Sequence, residues 1–299
     1  MKHANRTGIL LAILAAALYA INSPLSKLLL SDVPSTIMAG LLYLGAGLGM
    51  GVIALARRIR RAPRAAEPFT RRDTPFVLAF ILLDILAPIL LLWGLSRTTA
   101  ANASLLNNFE IVATALIALC VFREAISPRL WGGIAFTTVA CALLTVEDLS
   151  ALRPSAGSLL ILGACLCWGI ENNCTRQLSG KDPLVIVLLK GIFSGTGSLI
   201  IGLCLGQRVS SAAAVSATLA VGFVAYGLSI FFYVYAQRML GAARTGAYYA
   251  VAPFIGTALS LVIFRDPPPA TFLLSLGLMV IGAFLSAKDE PLFKRRRSS

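Results

Sequence analysis

Ten stretches of about twenty mostly apolar residues follow one another along this chain. They lie near residues 8–30, 34–56, 74–95, 99–122, 128–146, 156–179, 183–206, 214–236, 242–264 and 270–287. A helix rises about 1.5 Å per residue, so each stretch spans the roughly 30 Å hydrocarbon layer of a bilayer. Most connections between them are only a few residues long, which makes neighbours in sequence antiparallel. The predicted fold is therefore an all-α membrane protein of ten transmembrane helices. Composition agrees: 58% of the residues are hydrophobic and 13% charged, with a mean hydropathy of +0.83, whereas soluble domains carry about 25% charged residues.

The formal net charge of +13 would point to nucleic acid in a soluble protein. Here the basic residues flank apolar runs, so lipid phosphates are the expected partners and nucleic acid is not. More than half of them fall in three clusters: Lys2 with Arg6, the stretch Arg57–Arg72, and the tail Lys288–Arg297. Placing the N-terminus inside puts all three clusters on the inner side, with Arg123, Arg129, Arg176, Lys181, Arg238 and Arg244. Only Arg97, Arg153, Arg208 and Arg265 then lie outside. This asymmetry predicts both termini in the cytoplasm of an inner (plasma) membrane. Lys2 and Arg6 ahead of an apolar run also resemble a signal peptide, with Ala15–Ala17 as a cleavage site. The run is long enough to span, and it is expected to stay as an uncleaved first helix.

Enzyme and metal motifs are missing. Gly180-Lys181 continues into Asp182 with no glycine five residues earlier, so there is no P-loop and ATP hydrolysis in that manner is excluded. The single histidine is His3, and the six cysteines make no CxxC pair. Cys165 and Cys167 point about 200° apart on a helix, which is poor ligand geometry. Neither a metal nor another cofactor is expected. An intramembrane lipid-modifying enzyme would need clustered His, Asp or Ser at one interface, and no such cluster is present.

The two halves of the chain match. Gly8–Tyr19 aligns with Gly157–Trp168, and the register continues with Asn22 opposite Glu171, Ser23 opposite Asn172 and Lys27 opposite Arg176. Phe122-Arg123-Glu124 recurs as Phe264-Arg265-Asp266, each just ahead of prolines. The second stretch of each half is glycine-rich, with Gly45-x-x-x-Gly49, Gly47-x-x-x-Gly51 and Gly191-x-x-x-Gly195. That spacing lets helix backbones approach closely. The repeats cover 1–149 and 150–299. Five helices is an odd number, so the two copies would lie upside down relative to each other and work as one unit, an arrangement common in secondary transporters.

These paired starts and turns, with Trp131-Gly132-Gly133-Ile134 and Gly277–Gly282, resemble the drug/metabolite transporter superfamily. The similarity is to its ten-helix group built of two EamA units, and it covers nearly the whole chain. Whole-sequence likeness is greatest to bacterial aromatic amino acid exporters. The resemblance implies a cavity surrounded by the first, third, fourth, sixth, eighth and ninth helices, and alternating access. It also implies export of small amphipathic metabolites, aromatic and other amino acids foremost, with no ATPase subunit and a monomer or weak dimer as the working unit. A cationic drug exporter using Glu110 or Glu171 as counter-charge is the alternative. The repeats are not equivalent throughout, since Pro24 is matched by Asn173.

Polar groups at bilayer depth are costly and each requires a reason. Asp84, Glu110 and Glu171 fall near the midplane, with Asn107, Asn108, Asn172 and Asn173 on the same helices as the two glutamates. Glu171 and Lys190 lie at matching depths on consecutive helices and are expected to pair; such a pair serves either coupling or helix register. Pro24, Pro88 and Pro253 each free a carbonyl four residues earlier, for a wet cavity or for packing. Among midplane aromatics, Trp168 and Tyr226 are expected to line the cavity. Asn22, Asn107, Asn108, Asn172 and Tyr248 are expected within reach of it, because neutral amides both donate and accept without a fixed charge.

Overall fold

The computed structural model describes residues 2–59, 68–123, 126–148, 153–178, 180–209, 211–240, 245 and 248–287. Much of the basic stretch after Arg58, the basic tail from Lys288, and Glu124 and Arg244 lie outside the described residues. Fourteen helices run through the rest: α1 Lys2–Ala20, α2 Asn22–Leu29, α3 Ser35–Ile59, α4 Thr74–Leu95, α5 Ala100–Leu106, α6 Phe109–Phe122 and α7 Pro128–Thr145. The second half holds α8 Ala156–Gln177, α9 Pro183–Leu189, α10 Gly195–Cys204, α11 Ala212–Gly222, α12 Ser229–Leu240, α13 Ala252–Phe264 and α14 Ala270–Ala287. A π-helical segment, Lys190–Ser194, joins α9 to α10, and another, Phe223–Leu228, joins α11 to α12. Among the described residues the only strand pairing is antiparallel, Val146–Asp148 with Arg153–Pro154.

Short polar residues start these helices by accepting an otherwise unpaired backbone N–H. Thr99 accepts from the Asn102 amide at 3.1 Å ahead of α5, and Ser127 from Leu130 at 3.1 Å ahead of α7. Asp182 accepts from Leu184 at 3.0 Å ahead of α9, and Ser211 from Ala214 at 3.2 Å ahead of α11. Proline stands at the first position of both α7 and α9, where its missing N–H is not needed. At the other end, α6 and α13 both stop on an arginine in the left-handed region, Arg123 at φ 53° and Arg265 at φ 56°.

Among the described residues, six helical stretches are long and apolar enough to cross a membrane: 6–29, 35–59, 71–95, 100–121, 183–204 and 212–236. α13 and α14 are apolar but shorter, and α8 carries Glu171, Asn172, Asn173 and Arg176. The surface is apolar, with Leu10, Val52, Leu82 and Val262 among the most exposed side chains. Asparagines, serines, threonines and four charged residues, Asp84, Glu171, Lys181 and Lys190, are buried instead. That inside-out distribution suits a lipid environment.

Packing follows pairs of helices. α4 packs on α8, α1 on α12, α7 on α14, α5 on α13, and α3 on α10 and both π segments. Glycines set the closest approaches. A Cβ on Gly47 would lie 2.8 Å from the Gly191 carbonyl carbon, and one on Gly195 would lie 2.9 Å from the Gly40 oxygen. α3 therefore meets the π segment and α10 backbone to backbone. Gly94 and Gly157 make the same kind of contact between α4 and α8, as do Gly133 and Gly282 between α7 and α14.

Candidate functional site

Three helices lose their regular hydrogen bonding at one place. α1 ends at Ala20 and α2 begins at Asn22; Ile21 between them keeps helical backbone angles, and the irregularity is the hydrogen bond that Pro24 cannot make. Pro24 cannot donate to the Ala20 carbonyl, which frees it for another partner. The fourth stretch tightens at Asn107 and Asn108, between α5 and α6, where Asn108, Glu110 and Ile111 donate to the carbonyl three residues back instead of four. The ninth begins its regular helix only at Ala252, after a turn at Ala250–Val251. The breaks meet at a small, half-open cleft of about 10 Å³, room for about one water. Tyr19, Ala20 and Ser23 line it from the first stretch, Ser104 and Asn107 from α5 and its cap, and Ala252, Pro253 and Gly256 from α13. Irregular backbone survives at membrane depth only where it lines a cavity or is buried in protein.

Beside the cleft the tyrosines form a continuous aromatic wall. Tyr19 stands edge-on to Tyr226 at 5.9 Å between ring centroids, and Tyr226 lies 5.1 Å from Tyr43. Tyr19 also lies 6.0 Å from Tyr249, which meets Tyr233 at 4.8 Å. The amide of Asn22 donates to the Tyr226 hydroxyl at 3.1 Å, and the Ser26 hydroxyl donates to Asn22 Oδ1 at 3.1 Å. Tyr226 belongs to the π segment Phe223–Leu228, and such bulges are frequent at functional sites.

At the far end of that wall sit three buried charges. Tyr43 donates its hydroxyl proton to Asp84 Oδ1 at 2.8 Å. Asp84 Oδ2 lies 3.3 Å from Lys190 Nζ, and the same ammonium donates to Glu171 Oε1, which also accepts from the Thr175 hydroxyl. Asp84, Glu171 and Lys190 are 1%, 4% and 6% exposed. One lysine thus bridges carboxylates from α4 and α8, and its ammonium lies 5.3 Å over the Phe80 ring. Glu110 is held apart from this group. The Asn172 amide donates to its Oε1 at 2.7 Å and reaches Thr114 Oγ1 at 3.3 Å.

Of the residues expected at the cavity, Asn107 lines the cleft, while Tyr226 and Asn22 stand at its aromatic wall. Asn172 is engaged with Glu110. Asn108 is buried, donating to the Leu105 carbonyl at 3.0 Å and to Met279 Sδ at 3.5 Å. Trp168 is buried in the main apolar core and Tyr248 is half-buried; neither lines the cleft. Sequence reasoning missed Ser104 and Tyr43. Ser104 lies one helical turn before Asn107, and that spacing was its only signal.

Interrupted apolar helices converging on a small polar cleft, inside a molecule that is apolar outside, define a multi-pass membrane transporter. Residues 6–146 and 155–288 both match the EamA-like transporter family, and the chain belongs to that family. Its members are transporters rather than enzymes. The chain is 28% identical over 294 residues to an uncharacterized transporter of Methanothermobacter thermautotrophicus, covering 93% of this chain and 85% of that protein. It is 25% identical over 271 residues to a probable terminal-alkyne amino-acid exporter of Streptantibioticus cattleyicolor, covering 85% and 87%. A crystal structure superposes with a TM-score of 0.68 over 98% of both chains at 18% identity, so the fold is shared.

Proposed function

We propose that this protein exports amino acids, aromatic ones foremost, from the cytoplasm across the inner membrane by alternating access. Its ten transmembrane helices form two inverted five-helix repeats, 1–149 and 150–299, with both termini cytoplasmic. The observation that carries the reading is the cleft itself: uncharged, bounded by amide, hydroxyl and carbonyl groups, and walled by packed tyrosines. Aromatic substrates gain about 0.5–1.5 kcal/mol from such edge-to-face and offset contacts beyond area burial. Zwitterions suit neutral donors and acceptors, which hold them without a charge that opposes release.

The packing pairs support the inverted repeat. Exchanging first for sixth, third for eighth and fourth for ninth turns the α4–α8 contact into α12–α1, and the α6–α8 contact into α13–α1; all four occur. The paired left-handed arginines, Arg123 and Arg265, obey the same exchange.

Inside-out vesicles containing the protein are expected to accumulate radiolabelled phenylalanine and tryptophan faster than glycine or lysine. Repeating the assay with and without a pH gradient separates proton-coupled from facilitated export. Export of organic cations is a second reading, favoured by Glu110, a half-buried carboxylate with no ion pair among the described residues. Accumulation of such cations without any amino acid would sink the amino-acid reading. Cysteine labelling from the two sides is expected to find residues 65 and 295 cytoplasmic and residue 152 outside. Labelling of residue 65 from outside would overturn the orientation and the inversion together.

A further inference from the structure

One carboxylate at bilayer depth has no part in the packing described so far. Glu110 lies in the tightened turn of the fourth stretch, where its amide donates to the Asn107 carbonyl at 3.1 Å. It is half-buried and forms no ion pair among the described residues. Charged groups kept at that depth despite their cost mark ion and proton pathways. Its direct partner is neutral, since the Asn172 amide donates to Oε1 at 2.7 Å. The contrast with the triad is chemical. Asp84 and Glu171 are both tied to Lys190, and a proton on either would remove half of an ion pair. An amide N–H bonds Glu110 Oε1 whether or not the other oxygen carries a proton. Glu110 can therefore change charge without losing its contact.

Position supports the same use. Glu110 belongs to the first matched half, 6–146, and Asn172 to the second, 155–288. Coupling ions of secondary transporters bind near the midplane where two such halves meet, beside irregular helix. The titratable groups facing Glu110 come from every element around it. They are Glu171 and Cys165 of α8, Lys190 and Tyr226 of the two π segments, Asp84 of α4, Tyr19 of α1, and Tyr249, all within electrostatic reach. Tyr19 and Asn107 also line the cleft, which has room for about one water. A proton needs no larger space.

From this geometry we infer that Glu110 is the proton-binding site that couples export to the proton gradient. One proton binds its carboxylate from the outer side and leaves to the cytoplasm for each amino acid exported. A zwitterion carries no net charge, so each cycle moves one positive charge inward. The inference rests on the amino-acid reading for its substrate and adds the driving force.

The test uses proteoliposomes of the purified full-length protein with an acid lumen, the membrane potential clamped by potassium and valinomycin. At a gradient of one pH unit, one proton per substrate sustains about tenfold accumulation of phenylalanine. Glu110→Gln keeps an acceptor for Asn172 and cannot ionise. It is expected to let phenylalanine equilibrate and exchange but not accumulate, while Glu110→Asp still accumulates it. A wild type that only equilibrates phenylalanine would overturn the assignment. So would accumulation by Glu110→Gln, or equal loss of equilibration and accumulation in folded Glu110→Gln protein. The wild type gives a second measurement that needs no variant. Dicyclohexylcarbodiimide attacks protonated carboxyls in apolar surroundings, and mass spectrometry is expected to find its adduct on Glu110, less of it as pH rises. No adduct there, or one confined to Asp84 or Glu171, would also overturn the assignment. If the wild type moves no amino acid but concentrates ethidium in the acid lumen, and Glu110→Gln does not, the coupling site stands and the amino-acid reading falls.

Discussion

Replacing Lys190 with methionine is expected to destabilise the protein by about 3–5 kcal/mol, the usual cost of stranding a buried charge. The reason is geometric. Lys190 is the cation that touches both Asp84 and Glu171, at 3.3 Å from the first and in direct contact with the second. All three side chains are buried between α4, α8 and the π segment. Without the ammonium, two carboxylates share a low-dielectric site in which, among the described residues, the hydroxyls of Tyr43 and Thr175 are the remaining donors. The loss should appear as a lower unfolding temperature in detergent and a lower yield of monodisperse protein. Neutralising the partners as well, in the triple variant with Asp84→Asn and Glu171→Gln, is expected to recover most of it, because similarly shaped neutral groups often replace a buried ion pair at little cost. A Lys190→Met protein as stable as wild type would show that the triad does not depend on its cation.

The second large effect is expected at the glycine seam between α3 and the seventh stretch. Gly47→Leu and Gly195→Leu should sharply reduce folded yield while leaving the substrate preference of surviving protein unchanged. A Cβ at Gly47 would stand 2.8 Å from the backbone nitrogen of Ile192, and one at Gly195 would stand 2.7 Å from that of Leu44. Backbone atoms cannot rotate out of the way, so the helices must separate and lose the dispersion contacts that hold membrane helices together. Gly277→Leu is the control, since nothing lies within 4 Å of a Cβ there. Normal yield with altered specificity at Gly47 would mean that this face borders the cleft instead.

Much of the helix layout was legible because lipid imposes one strong rule: backbone groups must pair within the segment, so apolar length alone marks a helix. The Glu171–Lys190 contact was legible too, from matching depth on consecutive helices. Depth, however, does not say which way a helix faces. Asp84 was recognised as a midplane acid, but its place on the other side of Lys190 depends on the rotation of α4, which no sequence period specified. The tightened turn at Asn107 and Asn108 was hidden for a different reason. Neither proline nor glycine marks it, and asparagine is only a weak helix breaker. Trp168 was expected at the cavity because it is the repeat counterpart of Tyr19. The counterparts differ in surroundings: Tyr19 meets Tyr226 and Tyr249, whereas Trp168 is enclosed by the main core. Gly40 escaped notice since it belongs to no GxxxG pair within its own helix; its partner, Gly195, is on another helix.

The seam through Gly40, Gly47, Gly191 and Gly195 also has a mechanical meaning. Packed side chains let two helices slide by changing rotamer, but main chain pressed on main chain has no rotamers to change. The second and seventh stretches therefore behave as a single stiff beam through the middle of the molecule. The alternating access proposed above would have to pivot about this beam. Its bending would fall to the first, fourth and ninth stretches, whose hydrogen-bond ladders are irregular beside the cleft. Stiffness and compliance are thus assigned by the chain to different helices.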